Sequence, residues 1–157
     1  MAKLRIIVDT REGQPYRFDP DRTEVEHRAL ETGDYSLSGW EGAVAVERKT
    51  LEDFTTSLIQ RRERFLREVG RLSGMPYPCI VVEADLADIL GRHYRSGAHP
   101  HAILGATVSL LVDYGVPVCF CSDRQSAVMF TEQYLRRVHR RLAHDDPLMV
   151  RTNDQET

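Results

Sequence analysis

Apolar residues recur along this chain in two rhythms, and the rhythm changes where the polar residues become most unusual. Leu4, Ile6, Ile7 and Val8 form a short apolar run ending at Asp9, the pattern of a buried strand that delivers a carboxylate at its C-terminal end. Thr10-Arg11-Glu12-Gly13 then turns the chain, and Asp19-Pro20-Asp21 is a further turn signal. Residues 24–30 alternate, with Val25 and His27 on one side, and predict a second strand. Thr32-Gly33-Asp34 makes a tight connection, after which residues 35–40 alternate again through Tyr35, Leu37 and Trp40. Glu41-Gly42 leads into Ala43-Val44-Ala45-Val46, predicted as the third strand of a meander and ending at Glu47.

Past Glu47 the period becomes helical. Thr50 is an expected N-cap with Asp53 three residues on, and Leu51, Phe54, Leu58 and Ile59 recur at helical spacing. A second helix follows Gln60, with Phe65, Leu66, Val69 and Leu72 inward, and stops at Ser73-Gly74-Met75-Pro76. Cys79-Ile80-Val81-Val82 is a continuous apolar run, the mark of a strand covered on both faces, within a strand over 78–83. Residues 84–90 predict a short helix closed by Gly91, and residues 93–101 an irregular loop. A helix over 102–114 is expected to turn Ile103, Val108, Leu111 and either Leu104 or Tyr114 inward. Gly115 caps it and a last strand covers 116–121. Ser122, with Gln125 at the capping-box position, is the expected start of a final helix running to about Leu142 with Phe130, Tyr134, Val138 and Leu142 apolar. Strands first, then strands alternating with helices, give an α/β fold: a mixed sheet with helices on both faces.

Composition acts mainly by exclusion. The 157 residues are 41% hydrophobic and 29% charged, ordinary for one globular domain that buries roughly 70% of its unfolded surface. No stretch approaches the roughly 18 apolar residues of a membrane span, and the N-terminus lacks a signal-peptide layout, so a cytosolic protein without membrane contact is expected. Cys79, Cys119 and Cys121 lie in strand-like segments at no framework spacing, which predicts buried reduced thiols. The net charge of -3 argues against a general nucleic-acid coat protein; a nuclease remains compatible, because a metal site needs carboxylates and phosphate contacts need only a local basic face.

That chemistry is concentrated between Asp34 and Asp53. Phosphodiester hydrolysis requires a hard cation on the phosphate, a source of hydroxide and neutralisation of developing charge. Mg²⁺ and Mn²⁺ take carboxylate, carbonyl and water oxygens. Asp34 at the start of one strand and Glu47 at the end of its antiparallel neighbour meet at one edge of the hairpin, with the Arg48 carbonyl as a third donor. Lys49, two residues from Glu47, shares its face, where an ammonium stabilises a transition state or orients water. Asp9 and Asp53 are expected to enter the same cavity. Each residue alone has a plainer reading: a surface Glu-X-Lys pair, a first-turn Asp53, a turn Asp34, a solvated Arg48, a loop pair of Arg11 with Glu12. Their order and spacing together favour the site.

Gly33-Asp34 followed by Glu47-Arg48-Lys49-Thr50-Leu51-Glu52-Asp53 resembles the GD...ERKxxxD motif of the XPF family of structure-specific DNA endonucleases, and Ile7-Val8-Asp9-Thr10-Arg11-Glu12 resembles its V-D-x-R-E opening. The similarity runs from about Leu4 to Leu142. It implies a restriction-endonuclease-like fold, with an XPF-type nuclease domain over residues 1–145 and a flexible C-terminal tail over 146–157. It also implies that Asp9, Asp34 and Glu47 gather Mg²⁺ or Mn²⁺, that Lys49 is catalytic with Asp53 in support, and that Arg11 and Arg48 contact phosphate or hold the acidic cluster. Members cut one strand near a junction between duplex and single-stranded DNA. Two departures stand out: loop and strand between Glu12 and Gly33 where some relatives carry a helix, and no helix-hairpin-helix module or helicase in the sequence. A DNA-binding or helicase partner in trans is therefore expected.

Outside the motif, Arg61, Arg62, Arg64, Arg67 and Arg71 are either a DNA-facing stripe or, with Glu63 and Glu68 interleaved, a solvated ion-paired face; the family match extends to Arg62. Arg136, Arg137, Arg140 and Arg141 either touch phosphate or complement a helix C-terminus. The last two helices, with Met129, Phe130 and Tyr134, are a homodimer surface by the resemblance and core by default. His99-X-His101 lacks a third ligand. The expected function is a metal-dependent DNA endonuclease, probed against a non-catalytic DNA-binding or scaffold subunit and a plain restriction or resolvase-type nuclease of the same superfamily.

Overall fold

The computed structural model describes residues 2–145. The expected tail over 146–157 lies outside the described residues. Six strands form one mixed sheet: β1 (Leu4–Val8), β2 (Thr23–His27), β3 (Tyr35–Leu37), β4 (Val44–Lys49), β5 (Tyr77–Val82) and β6 (Val118–Phe120), in the order β2-β1-β3-β4-β5-β6. Helices α1 (Leu51–Ile59), α2 (Arg62–Ser73), α3 (Leu86–Leu90) and α4 (Pro100–Val112) connect the later strands, and α5 (Arg124–Asp145) closes the described chain. The fold is the expected mixed sheet flanked by helices.

The strand pairing differs from the expected meander. β3 is antiparallel to β1 and β4, but β2 leaves the run and pairs parallel with β1 at the sheet edge. Its sequence shows why: Val25 is 42% exposed, so one apolar residue among charges does not bury a strand on either face. β3 is also short, and Trp40 lies in the turn beyond it. The parallel β4-β5-β6 half needs crossovers, which α1–α2 and α3–α4 supply.

Two cores lie on opposite faces of the sheet. One holds Ile6, Val8, Tyr35, Leu37, Val44, Val46 and Val81 against Leu135 and Val138 of α5. The other holds Ala45, Ile80 and Val82 against Phe54 and Leu58 of α1, Phe65, Val69 and Leu72 of α2, and Ile103 and Leu110 of α4. Each fully buried side chain of this kind is worth roughly 1.5–3 kcal/mol. The phase of α4 corrects the expectation. Ile103, Ala106, Thr107 and Leu110 are inward, whereas Val108, Leu111 and Val112 are exposed. The helix is apolar on nearly every side, so its periodicity carries no phase. It also begins two residues early, with Pro100 in its first turn and His99 Nδ1 accepting the His101 N–H at 3.1 Å.

Ser122 is not the cap of the last helix. It sits at φ 63 and donates its hydroxyl to Asp85, while Asp123 Oδ1 accepts the Ser126 N–H at 2.7 Å. The cysteines are free, with Cys79 and Cys121 buried and Cys119 half-buried. No helix among the described residues is long and apolar enough to cross a membrane.

Candidate active site

The register of three strands builds the site. Because β3 is antiparallel to both neighbours, its start meets the ends of β1 and β4: Tyr35 stands opposite Val8 and Val46. Asp34, one residue earlier, is clamped on both sides, donating its N–H to the Val46 carbonyl at 2.8 Å and accepting the Asp9 N–H at 2.8 Å. Gly33 is required for that approach. Its φ is +79, and a Cβ there would lie 2.9 Å from the Ala45 Cβ. Strand alternation then sorts the side chains. Val8, Tyr35 and Val46 fill the α5-side core, so Asp9, Asp34, Glu47 and Lys49 face the side of α1 and α2.

On that side a cleft of about 260 Å³ is lined by Asp9, Arg11, Gly33, Asp34 and Glu47 from the sheet and by Arg64, Glu68 and Arg71 from α2, with Glu31, Thr32 and Leu72 completing it. Lys49 Nζ lies 3.7 Å from Glu47 Oε1 and 5.1 Å from the Phe65 ring centroid, with both charged side chains 15% exposed. Lys49 also lines an adjoining recess with Ser57, Arg61 and Arg64. Burial pushes the Asp34 carboxyl above its ordinary range against the opposing Arg48 N–H, and burial followed by the Asp34 charge pushes Glu47 up against the opposing Lys49. Burial is the leading cause of both shifts.

Asp9 behaves differently. Burial works against its charge, but the Arg11 guanidinium at 2.9 Å and the Leu30 N–H at 2.8 Å outweigh it and hold the carboxyl below its usual range. Both Asp9 oxygens accept hydrogen bonds, while Oδ2 retains a second lone pair. Among the described residues no three His, Cys, Asp or Glu side chains gather around one point. Asp34, Glu47 and the Arg48 carbonyl are a donor set that fits a hard cation, with Asp9 lining the same cleft. Alternation supports the carbonyl. Glu83 N–H bonds the Lys49 carbonyl on the β5 side and Asp34 N–H bonds that of Val46 on the β3 side, so the Arg48 carbonyl faces Asp34. Two carboxylates with waters and substrate phosphate are an ordinary Mg²⁺ set.

A family model, the ERCC4 domain, matches residues 8–134. The chain belongs to the ERCC4-domain family. It is 30% identical over 141 residues to the 3'-flap repair endonuclease Xpf of Saccharolobus solfataricus, covering 86% of this chain and 54% of that protein. It is 34% identical over 122 residues to the putative ATP-dependent RNA helicase MJ1505 of Methanocaldococcus jannaschii, covering 78% of this chain and 14% of that one. The XPF structure from Aeropyrum pernix superposes with a TM-score of 0.67 at 27% identity, covering 85% of this chain and 61% of that one. The same protein in complex with DNA gives 0.69 at 27%, covering 88% and 66%. The chain therefore matches only part of each of these relatives, with the restriction-endonuclease-like fold of an XPF-family nuclease domain.

Within that ERCC4 frame, several expected residues lie elsewhere. Asp53 is exposed in the first turn of α1, where its N–H donates to Thr50 Oγ1 at 3.2 Å, and it does not line the cleft. The Arg48 side chain points through the opposite face of the sheet, bonding Glu83 at 3.1 and 3.3 Å and Glu12 at 3.4 Å under the Tyr16 ring. Its role in the cleft belongs to its main chain, whose N–H donates to Asp34 Oδ2 at 2.8 Å. Arg62 turns back onto the Leu58 carbonyl at 3.4 Å, so Arg64 and Arg71, with Arg61 in the recess, are the α2 arginines at the site. Arg71 and Glu68 belong to the stripe and its interleaved acids, but the sequence alone does not place them at the site, and Glu83 is not singled out by it. The signals were present: Arg64, Glu68 and Arg71 share a helix face, and the apolar run before Glu83 ends in a carboxylate just as the run before Asp9 does.

Proposed function

We propose that this ERCC4 domain is a Mg²⁺- or Mn²⁺-dependent DNA endonuclease that cuts one strand near a junction between duplex and single-stranded DNA. The observation that carries the reading is the convergence of Asp34 and Glu47 on one cleft, with Lys49 against Glu47 at its adjoining recess and both carboxylates raised first by burial. Asp34, Glu47 and the Arg48 carbonyl would hold the cation. Bound there, it would supply Lewis-acid charge on the scissile phosphate and make water more acidic. The Lys49 ammonium, fixed against Glu47 and Phe65, orients the attacking water or balances charge on the phosphate. Arg64 and Arg71 line the same cleft and are placed to take flanking phosphates, while Asp9 holds Arg11 at its rim. The junction preference is supported by the Saccharolobus relative, a 3'-flap repair endonuclease, and DNA as the substrate by the DNA complex of the Aeropyrum one.

The assembly is proposed as a homodimer acting with a helicase or DNA-binding module in trans. Val108, Leu111 and Val112 of α4 and Met129 of α5 leave exposed apolar surface, whereas Phe130 and Tyr134 pack against the core. Cleavage of labelled flap, splayed-arm, bubble and plain duplex DNA, with and without Mg²⁺ or Mn²⁺, tests the reading. Metal-dependent nicking beside a junction supports it. Absence of cleavage with every substrate and both metals supports the non-catalytic scaffold instead, and equal cutting of plain duplex supports the restriction-type enzyme. Sedimentation of the same sample measures the dimer.

A further inference from the structure

We propose that the loop joining α3 to α4 is a second phosphate-contacting surface for duplex DNA, presenting Arg92 and Arg95 across the N-terminus of α1 from the arginines of α2; this rests on the nuclease reading above. The loop is pinned beside the active site. Arg95 donates its main-chain N–H to Glu52 Oε1 at 2.9 Å, and Glu52 follows Lys49 by three residues in the first turn of α1. Tyr94 is buried and donates its hydroxyl to the Ala98 carbonyl at 2.7 Å, and Ala98 N–H reaches Ser96 Oγ at 3.0 Å. His93 is tied to Asp88 at 2.9 Å. A loop ordered before binding loses little freedom when a ligand arrives.

What this scaffold presents is two exposed guanidinium groups whose nearest acids are held by other donors. Arg92 and Arg95 are exposed, and among the described residues neither guanidinium makes an ion pair or a hydrogen bond. The nearby acids are engaged: Asp88 by His93, Glu52 by the Arg95 N–H, and Asp85 by the Ser122 hydroxyl. His99 and His101 stack at 5.2 Å at the start of α4 and extend the polar surface.

The backbone of Arg92 adds a second argument. It follows the C-cap Gly91 and has φ 55, the left-handed conformation that glycine or asparagine adopts most easily. An arginine in a position that disfavours it points to a use for its side chain rather than its backbone. On the far side of the α1 N-terminus, Arg61, Arg64 and Arg71 border the cleft and its recess. Basic residues on both sides of α1, which packs against α2 and α4, suit a duplex lying over the N-terminal end of that helix, with phosphates on either side of it.

The test is anisotropy of a labelled flap duplex with the full chain in EDTA, over a salt series. For Arg92→Ala/Arg95→Ala, we expect affinity to fall about tenfold and the slope of log K against log salt to shrink by about 2, while the double lysine variant keeps the slope. Arg92→Gly/Arg95→Ala is a second readout: the glycine relieves the backbone, so this variant should melt no lower than wild type yet bind as weakly. Unchanged affinity and slope in both variants overturn the loop surface and leave the nuclease reading standing. Failure of the wild-type chain itself to bind DNA at any salt overturns both.

Discussion

Arg48 donates its main-chain N–H to Asp34 Oδ2 at 2.8 Å while its guanidinium lies on the opposite face of the sheet, so one residue serves both sides. The bond fixes one oxygen of Asp34 and leaves Oδ1 free to face the cleft. Asp34→Asn keeps an acceptor for the Arg48 N–H but removes the charge. Cleavage is expected to fall by about 1000-fold or more, equivalent to about 4 kcal/mol in the barrier, with circular dichroism unchanged. Cleavage within tenfold of wild type would remove Asp34 from the site.

The metal-free site should be a source of instability. Burial raises the Asp34 carboxyl, and burial with the Asp34 charge raises Glu47. The folded chain then holds protons that the unfolded chain has released, so stability falls as pH climbs above the ordinary carboxylate range. In EDTA the melting temperature of wild type is expected to drop between about pH 5 and pH 8, and that of Glu47→Gln to drop less. Mn²⁺ should raise the wild-type melting temperature at the upper pH and leave Glu47→Gln nearly unmoved. Identical pH slopes and identical Mn²⁺ shifts for the two proteins would count against a shared cation between Asp34 and Glu47.

Lys49 is held by Glu47 at 3.7 Å and by the Phe65 ring at 5.1 Å, which positions a compact ammonium. A guanidinium is planar and larger, and does not occupy the same point. Lys49→Arg is therefore expected to lose about 100-fold in kcat, close to Lys49→Ala, with KM for DNA changed much less. A lysine-to-arginine variant that cuts normally would show that only a diffuse positive charge is needed.

The sequence made the sheet edge legible because apolar runs ending in carboxylates, Leu4 to Asp9 and Val44 to Glu47, carry their own direction. Gly33-Asp34 was legible because only a glycine permits the φ of +79 and the approach to Ala45. Other features depended on long-range packing. The exposed edge position of β2 follows from what lies beside it, not from its alternation. The phase of α4 was hidden by apolar residues on nearly every side, so Val108 and Leu111 point outward. Arg48 was the least legible: it stands between two cleft residues, yet strand alternation sends its side chain to Glu12 and Glu83, 36 and 35 residues away in sequence.

Glu83 is the residue through which that back face can be tested. It accepts the Tyr16 hydroxyl at 2.8 Å and Arg48 at 3.1 and 3.3 Å, with its own side chain 8% exposed and that of Arg48 10%. Removing it leaves the Arg48 charge in a buried place with Glu12 as its remaining carboxylate, while Arg124, 3.8 Å from Glu83 in the wild type, loses its counter-charge too. Breaking one side of a buried pair costs roughly 3–5 kcal/mol, and the surviving Glu12 contact should reduce that to about 2–4 kcal/mol for Glu83→Ala in urea unfolding. Arg48→Met/Glu83→Leu removes both charges and should recover most of the loss, giving a coupling energy above about 1 kcal/mol. Because the Arg48 main chain borders Asp34, Glu83→Gln is also expected to raise the Mn²⁺ concentration needed for half-maximal cleavage. Additive losses in the double-mutant cycle, with an unmoved Mn²⁺ requirement, would make the back-face network a stability element with no influence on the cleft.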